Sequence, residues 1–482
     1  MQTTHRFPLR LAALLLAALL WLAPGAQATQ AQRDAYQQAY DLLMDNSNND
    51  LLALTLAAGT VRTLAEEGYV PALSMMAWMY RSGRALEQSD EKAYEWYVRG
   101  ADAGSPAATA GLGNLYRTGL VVQKDPAQAI ALFERAIDLG SAYAKSQLGQ
   151  MYLHGEGMAP DGVKAVPLLE EAAQEGEVTA HTFLGLAHSQ GMGGLPVDAA
   201  LGAAWYEKAI ALHETAAMYN LGILSEHGIG VPRDTERAFS LYTQAAQEGD
   251  VDAIAAVGNA YLRGSGVKAD AGKAVDWLSR AVQAGHALSA YRLAGIYRTG
   301  LQEIAADPDR AQQYLEQAAQ LDEAAALYDL SRQAEETGDT QTAQDLAARA
   351  FEIYRRDAAT SPQAMSWLGY LYNMGIGTPK DVHKALEAYL NAASRGNASA
   401  MHNAAVLYEG GNGMEQDMEQ ALLLYRQAAE QDDVLSLVRL GVLTRTGTGT
   451  AQDDELAAEY LRRARDLGSE EAAGLLAEYG LE

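Results

Sequence analysis

The sequence predicts an all-α protein in which helix pairs stack one on the next to form a solenoid. Three observations carry this prediction. A motif, A-x-x-x-L-G-x-x-Y-x-x-G, returns along the chain at a spacing of 36 residues. A second motif, with small and apolar residues three and four apart, follows each copy, and glycine closes both motifs. A fixed period of this length indicates a repeat architecture, because one helix pair cannot bury its apolar face without neighbours.

The first motif is typical of a helix whose Ala, Leu and Tyr positions share one face, because they lie four residues apart. Its full form is present at residues 108–119 and again at residues 144–155. Further copies begin at Ala180, Ala217, Ala253, Ser289, Ala364, Ala400 and Ser436, and a degenerate copy begins at Ala72. We expect the Gly or Ala after Leu to let the second helix of the pair approach closely.

The second motif, A-x-x-W/L-Y/L-x-x-A-A-x-x-G, predicts the partner helix of each pair. It is present at residues 93–104 and 238–249, among other places. An aspartate often precedes it, as at Asp125, Asp234 and Asp381, where a carboxylate can accept hydrogen bonds from the free N–H groups of a helix start. The closing glycine stands where a helix C-terminus favours a left-handed residue.

One copy departs from this pattern. Gly338 and Asp339 join two predicted helices by a short turn, and the G-x-G loop of the other copies is missing, so this copy has the tighter form of a helix-pair repeat of about 34 residues. With it, we expect eleven helix-pair repeats. The predicted organisation is a signal peptide, 1–28, an N-terminal capping helix pair, 29–71, regular repeats, 72–323, the tighter copy, 324–361, regular repeats, 362–471, and a C-terminal capping helix, 472–482.

The N-terminus is typical of a secretory signal peptide. A charged start with Arg6 and Arg10 precedes an apolar stretch at residues 11–23, and a small-x-small pattern ends at Ala28. We expect cleavage after Ala28 and a mature protein that is periplasmic or secreted, with no membrane span. An uncleaved anchor is the alternative, although the apolar stretch is short for a bilayer span.

Composition excludes several classes of site and partner. The formal net charge is −26, which argues against nucleic acid and against an anionic membrane surface, since both attract Lys and Arg. The chain has no cysteine, which removes disulfides, thiolate metal sites, thiol nucleophiles and the lipidation site of a bacterial lipoprotein. The acidic surface either serves solubility or attracts a basic partner, and the sequence leaves both open.

Together the two motifs resemble the Sel1-like repeat, a relative of the tetratricopeptide repeat. The resemblance covers roughly residues 72–471, and the copy at 324–361 resembles the tetratricopeptide form. It implies a right-handed α-α superhelix used for protein–protein contact, with the first helices on its concave surface. For secreted bacterial members it implies adaptors of envelope assembly, polysaccharide export, signalling control or host interaction. Some members carry disulfides and some resemble lipoproteins, and a chain without cysteine departs from both.

No catalytic or metal-binding motif is apparent. The G-x-G turns, such as residues 155–157 and 264–266, follow helices rather than strands and recur once per repeat, so we interpret them as inter-helix turns and not as phosphate loops. His181 and His188 lie seven residues apart, but His188 occupies the Tyr position, which favours packing over metal binding. His213 stands where other copies close with glycine, and we interpret it as a cap variant. We expect no enzyme activity, no cofactor and no metal, with a β-lactamase-like or cell-wall enzyme as the less favoured alternative.

Helical geometry predicts which positions of a first helix face a partner. With the motif's Gly as position zero and about 100° per residue, Ala, Leu and Tyr fall together, and positions −2, +1 and +5 fall on the outward side. If first helices line the concave surface, as the resemblance implies, these positions face the groove. The protein-binding residues predicted there are Asn114, Gln147, Gln150, Asn220, Asn259, Arg292, Trp367, Asn403 and Arg439. Their amides and arginines suit a peptide backbone or a carboxylate, with Trp367 as an aromatic anchor, and ordinary solvated residues are the alternative.

The predicted function is therefore a periplasmic or secreted adaptor or scaffold. It binds a protein partner of the periplasm or outer membrane, in envelope assembly. Regulation of a membrane sensor or of exopolysaccharide export through the same surface is an alternative that the sequence does not separate. We expect no nucleic-acid partner.

Overall fold

The computed structural model describes residues 28–45, 47–411 and 415–481, and the regular structure in these ranges is helical, apart from one isolated bridge between Leu301 and Ile304. The all-α prediction is confirmed for this part of the chain. The predicted signal peptide, except for Ala28, lies outside the described residues. Across the described ranges, every helix is too short or too polar to cross a bilayer. The chain divides into two units, Met1–Ala284 and Gly285–Glu482.

In the first unit, helices pack in consecutive pairs, and the second helix of a pair also packs against the first helix of the next. A short 3-10 helix, Met192–Gly194, follows the α-helix that ends at Gln190. The α-helices are α1 (Gln30–Met44), α2 (Leu51–Glu66), α3 (Val70–Ser82), α4 (Asp90–Asp102), α5 (Pro106–Thr118), α6 (Pro126–Asp138), α7 (Ala142–His154), α8 (Gly162–Gln174), α9 (Val178–Gln190), α10 (Ala199–Ala211), α11 (Thr215–His227), α12 (Thr235–Gln247), α13 (Val251–Arg263) and α14 (Ala271–Gln283).

The second unit repeats this arrangement, and its last helix stands without a partner helix after it in the described residues. Odd-numbered helices from α3 to α23 are the first helices of their pairs, and the even-numbered ones are the second helices. The α-helices of this unit are α15 (Ala287–Thr299), α16 (Pro308–Gln320), α17 (Ala324–Glu336), α18 (Thr340–Asp357), α19 (Pro362–Met374), α20 (Val382–Ser394), α21 (Ala398–Gly410), α22 (Met418–Glu430), α23 (Val434–Thr446), α24 (Asp454–Asp466) and α25 (Glu470–Tyr479).

Aspartate caps start the second helices, as the sequence predicts. The Asp125 carboxylate accepts a hydrogen bond from the backbone N–H of Gln128 at 3.0 Å, and Asp234 and Asp381 make the same contact three residues ahead. The backbone N–H of Asp125 also donates to the carbonyl of Tyr116 in the first helix, at 2.9 Å. The aspartate therefore caps one helix and ties it to the other.

Glycine in the first helix sets the distance between the two helices of a pair. A Cβ built on Gly149 would lie 2.7 Å from Cγ of Leu169, and one on Gly222 would lie 2.5 Å from Cε1 of Tyr242. Gly369 stands in the same way against a tyrosine of α20. A large side chain of the second helix fills the space that the missing Cβ leaves, so the predicted role of this glycine is confirmed.

The G-x-G turns are packing elements between neighbouring repeats. Gly157, the second glycine of its turn, lies against Pro126 at the start of α6, in the preceding pair. Gly266 lies against the backbone of Thr235 at the start of α12, and Gly449 lies against the start of α22. Protein atoms fill the space in front of the second glycine, which confirms the interpretation of these segments as inter-helix turns.

The pair α17 and α18 is the tighter copy. A turn of three residues separates Glu336, the end of α17, from Thr340, the start of α18. Asp339 caps α18 by accepting a hydrogen bond from the N–H of Thr342 at 3.2 Å. Helix α18 has 18 residues, against 13 for α16 and α20.

Some copies close without glycine. His213 has a φ of 62°, and Asp322 and Asp432, at the same place in their repeats, have φ values of 61° and 62°. These residues adopt the left-handed conformation that glycine supplies elsewhere, and Asp and His tolerate it better than most residues. The interpretation of His213 as a cap variant is confirmed.

Candidate protein-interaction surface

All nine predicted binding residues lie on first helices, on α5, α7, α11 and α13 in the first unit and on α15, α19, α21 and α23 in the second. We call the side of these helices that carries positions −2, +1 and +5 the first-helix face. Arg439 is exposed and the other eight residues are half-buried. Their contacts divide them into residues that join neighbouring repeats and residues that do not.

A polar seam joins α5 to α7. Arg117 donates from Nη1 to the side-chain oxygens of Gln147 at 2.9 Å and Gln150 at 2.7 Å. Its other nitrogens make a two-point ion pair with Glu156, at 2.6 and 2.7 Å. Asn114 donates from Nδ2 to the Tyr143 hydroxyl at 2.6 Å. Three of the predicted binding residues therefore also hold neighbouring repeats together.

The charge of this seam is balanced within it. The hydrogen bond from Arg117 holds the pKa of Glu156 below its usual range, although partial burial works in the opposite direction. The side chains of Arg117 and Glu156 are 15% and 27% exposed, so the pair is only partly screened by water. Glu156 is consequently ionised at neutral pH and stays paired with Arg117.

A second polar junction in the first unit centres on Glu226 of α11. Its carboxylate accepts hydrogen bonds from the Tyr242 hydroxyl at 3.0 Å, from Arg263 at 2.9 Å and from the Ser265 hydroxyl at 3.1 Å. Burial alone would raise the pKa of Glu226, but the Tyr242 hydrogen bond and the Arg263 charge hold it below its usual range. Glu226 thus links its own pair to the next one.

Asn220 and Asn259, the other predicted residues of the first unit, bond differently. Asn220 donates from Nδ2 to the carbonyl of Ala216 in its own helix, at 2.9 Å. The Oδ1 atom of Asn259 is buried and accepts no hydrogen bond from the described residues. A buried carbonyl oxygen without a donor costs free energy, so Asn259 has acceptor capacity that the described structure does not use.

Trp367 lies in an aromatic seam between the tighter copy and α19. Its ring stacks on that of Tyr354, with centroids 5.6 Å apart and an angle of 12°. The ring centroids of Tyr328 and Tyr370 lie 5.7 and 5.6 Å from that of Trp367, at angles of 55° and 85°, and the hydroxyls of those two tyrosines share a hydrogen bond of 3.1 Å. The predicted aromatic anchor is therefore also a packing residue.

Arg292 stands near a carboxylate-rich junction of the second unit. Burial raises the pKa of Glu323 at the start of α17, and the charge of Arg292 counteracts that rise. Close by, Asp329 of α17 accepts a hydrogen bond from the Tyr291 hydroxyl at 3.1 Å and pairs with Arg298 at 3.6 Å. The junction of α15 with α17 is thus polar, in contrast to that of α17 and α18 with α19.

Arg439 and Asn403 complete the set. Arg439 of α23 donates from Nε to Glu409 of α21 at 3.0 Å, and Glu409 also accepts from the Tyr425 hydroxyl at 2.8 Å. Burial alone would raise the pKa of Glu409, but its bond with Arg439 holds it below the usual range. Asn403 lies half-buried on α21. Arg439 therefore joins repeats, as Gln147 does at the same position.

Sequence reasoning missed position +4 of the first helix. Six copies carry a charge there. Arg81 and Arg445 pair within their own repeat, whereas the other four residues pair with a residue of the following repeat. The pairs are Arg117 with Glu156, Glu226 with Arg263, Arg298 with Asp329 and Glu409 with Arg439. The signal was a charged residue directly after the packed Tyr position, at the border between the packed and outward sides of the helix.

The first-helix face is free of carboxylates. At positions −2, +1 and +5 of the ten regular first helices, no residue is Asp or Glu, although 62 of the 482 residues of the chain are acidic. The solvent side of α12, by contrast, carries exposed Glu236, Arg237 and Gln244. Protein interfaces are depleted of Asp and Glu and enriched in Arg, so the composition of this face is closer to that of an interface than the composition of the solvent side of α12 is.

One Ser–His–Asp arrangement is present in the second unit. Nδ1 of His402 lies 2.9 Å from the Ser436 hydroxyl and 3.6 Å from Asp433. Both neighbours meet the same ring nitrogen, and Ser436 is fully buried, so His402 cannot relay a proton from an accessible hydroxyl to the carboxylate. Within the described ranges, no group of three or more His, Asp or Glu residues is placed to hold a metal ion.

Comparison with known proteins gives one family. The sequence pattern of the Sel1 repeat matches ten segments, 70–105, 106–141, 142–177, 178–213, 215–250, 251–286, 287–323, 362–397, 398–433 and 434–469. The tighter copy falls between the seventh and eighth of them. Among curated proteins, none matches this chain in sequence.

Solved structures of repeat proteins are similar to the chain. One is a protective antigen present in uropathogenic Escherichia coli strains displaying an SLR fold, with 24% identity, a TM-score of 0.45, and coverage of 88% of this chain and 90% of the other. A Sel1 repeat protein from Oxalobacter formigenes has 27% identity and a TM-score of 0.44, and covers 51% of this chain and 96% of its own. Yeast Tom70 has 14% identity and a TM-score of 0.34, with coverage of 86% and 96%.

Proposed function

Because the chain belongs to the Sel1 repeat family, we propose that it is a protein-binding scaffold of the bacterial envelope, periplasmic or secreted, whose partner lies along the first-helix face. Stacked helix pairs present the same face once per repeat, which suits recognition of another protein. The predicted signal peptide supports the location, and envelope assembly is the role that we assign to it.

The observation that carries this proposal is the absence of carboxylates from the first-helix face of an otherwise acidic chain. Carboxylates resist removal from water, so their absence makes this face the least costly one to cover with a partner. The amides of Asn220 and Asn403 supply hydrogen bonds to a partner backbone, Asn259 lies between them in the sequence and on the same face, and Trp367 supplies apolar contact. Asn114, Gln147, Gln150, Arg292 and Arg439 lie on the same face.

The test uses residues that do not join repeats. Asn220→Ala and Asn403→Ala are introduced together, and the chain is cross-linked and purified from the native envelope. We expect the loss of a partner that the unaltered chain recovers, with unchanged thermal unfolding. The matched control carries Gln244→Ala and Gln427→Ala on the solvent sides of α12 and α22, and it keeps the partner. Recovery of every partner by the double asparagine variant would show that the first-helix face is the wrong surface.

A further inference from the structure

The outward face of α2 is unlike that of the other second helices. Leu51, Leu52 and Leu56 are 75%, 69% and 64% exposed, and their spacing places them on one side of the helix. On α12, the matching side carries charged and amide residues such as Glu236 and Gln244. Single exposed leucines are ordinary, but three on one helix face form an apolar patch that needs a partner to cover it.

In the second half of the helix, Gly59 and Thr63 continue the line of Leu52 and Leu56 with small residues, and exposed Arg62 and Glu66 flank them. Gly59 lies in the middle of α2 with open space around the place of its missing Cβ, so no packing within the chain accounts for this glycine. The hydroxyls of Thr55, Thr60 and Thr63 donate to carbonyls one turn back in α2, at 2.7, 3.1 and 3.1 Å. Because these hydroxyls are satisfied within the helix, the threonines add little polarity to the face.

We propose that this face of α2 is an interface between two copies of the chain. Leu52 and Leu56 lie in its first half and Gly59 and Thr63 in its second half, so an antiparallel copy sets these large residues against the small ones. An axis between positions 57 and 58 brings Leu56 of each copy onto Gly59 of the other and Leu52 beside Thr63. A surface that complements itself in this way suits a twofold dimer, in which both copies use the same residues.

Charge weakens this contact and gives it a distinctive salt dependence. The antiparallel arrangement brings Asp50 of one copy near Glu66 of the other, and Glu67 lies at the same end of the helix. These three exposed carboxylates outnumber Arg62, the exposed cation of the same helix, so the two copies repel, and added salt screens the repulsion because the Debye length falls to about 3 Å at 1 M. The dimer therefore strengthens as the salt concentration rises. One helix face also supplies few contact residues compared with the roughly 20–30 per side of a stable interface, so the dimer is weak.

The experiment measures the mass of the secreted chain in solution by sedimentation or light scattering, over rising concentration and at low and high salt. Mass spectrometry of the same sample identifies its N-terminus. We expect a reversible monomer–dimer equilibrium that shifts toward dimer in high salt. A chain that is monomeric at every concentration, or a dimer that salt dissociates, overturns the proposal. So does a dimer seen only when residues 1–28 are retained, since those residues then supply the contact.

Two variants locate the interface. Leu52→Ser with Leu56→Ser should raise the dimer dissociation constant more than about tenfold, which corresponds to 1.4 kcal/mol. Val163→Ser, at an isolated site that is 77% exposed, is the matched control and keeps the dimer. Gly59→Leu meets open space in the monomer and replaces glycine with a better helix former, so it should raise the thermal midpoint and yet abolish the dimer. Gly474→Leu, at an equally open glycine of α25, leaves the dimer intact. A dimer that survives both α2 variants forms through another surface and refutes the assignment.

Discussion

The seam between α5 and α7 and the seam between the tighter copy and α19 occupy the same place between consecutive first helices, yet they use opposite chemistry. In the first, Arg117 is bound by two glutamines and a carboxylate. In the second, Trp367 is packed among three tyrosines. Residues at positions −2 and +1 serve both seams. The outward positions of a first helix, to which we assign the partner, therefore also hold the array together, and the chemistry used for cohesion changes along the chain.

The largest effect is expected in the aromatic seam. Trp367→Ala removes a stacked ring and leaves three tyrosines partly unsupported, which should lower the free energy of unfolding by about 3 kcal/mol, the low end for tryptophan truncation because the ring is half-buried. Urea unfolding followed by circular dichroism measures the loss, and salt should not change it. Trp367→Phe keeps most of the packing and should recover more than half of the loss. A full loss in the phenylalanine variant would mean that stacking on Tyr354 is not what matters.

A smaller and salt-sensitive effect is expected in the polar seam. Arg117→Ala leaves Glu156 and two glutamines without their donor and should cost about 1–2 kcal/mol, less in high salt. The same unfolding measurement checks it. Arg237→Ala breaks an exposed pair with Glu207 and is the matched control, with almost no effect. An Arg117 loss as large as that of Trp367→Ala would erase the contrast between the two seams.

The polar seam should also respond to acid. The folded state holds the pKa of Glu156 below its ordinary value of 4.5, so its contribution is complete above that value and is lost as the pH falls through the folded pKa. The free energy of unfolding is measured against pH for the unaltered chain and for Arg117→Ala. The difference between the two should become smaller as the pH falls through the folded pKa of Glu156. A difference that stays constant down to the most acidic pH would show that the carboxylate is not the partner that matters.

The smallest effect is expected at Glu177, which belongs to neither seam, and it has the opposite dependence on pH. Glu177 at the start of α9 is buried, and burial raises its pKa. A raised pKa stabilises the fold below the unfolded value of 4.5, and this contribution is lost as the pH rises through the folded pKa. Glu177→Gln should therefore be slightly more stable than the unaltered chain at neutral pH, with no gain in acid. The same titration measures it, and a destabilised variant at neutral pH would refute this sign.

The helices and their turns can be predicted from the sequence, but the side-chain contacts between neighbouring repeats cannot. The motif period, the capping aspartates and the glycines that admit Leu169 and Tyr242 are local signals, because each depends on residues within one helix pair. Trp367 and Gln147 were assigned to a binding surface from the angular position of one helix. Their contacts depend on how consecutive first helices are staggered, which a single helix does not contain. The pairs at position +4, such as Arg117 with Glu156, could not be predicted from one helix for the same reason.

Our proposal that the partner lies on the first-helix face can be tested by site-specific photo-crosslinking. A photoreactive residue replaces Asn403 on α21 in one variant and Gln427 on the solvent side of α22 in another, so that both sides of one helix pair are sampled. We predict that the residue at position 403 cross-links to a protein partner in living cells and that the residue at position 427 does not. Cross-links from position 427 alone would show that the partner lies on the second-helix side instead.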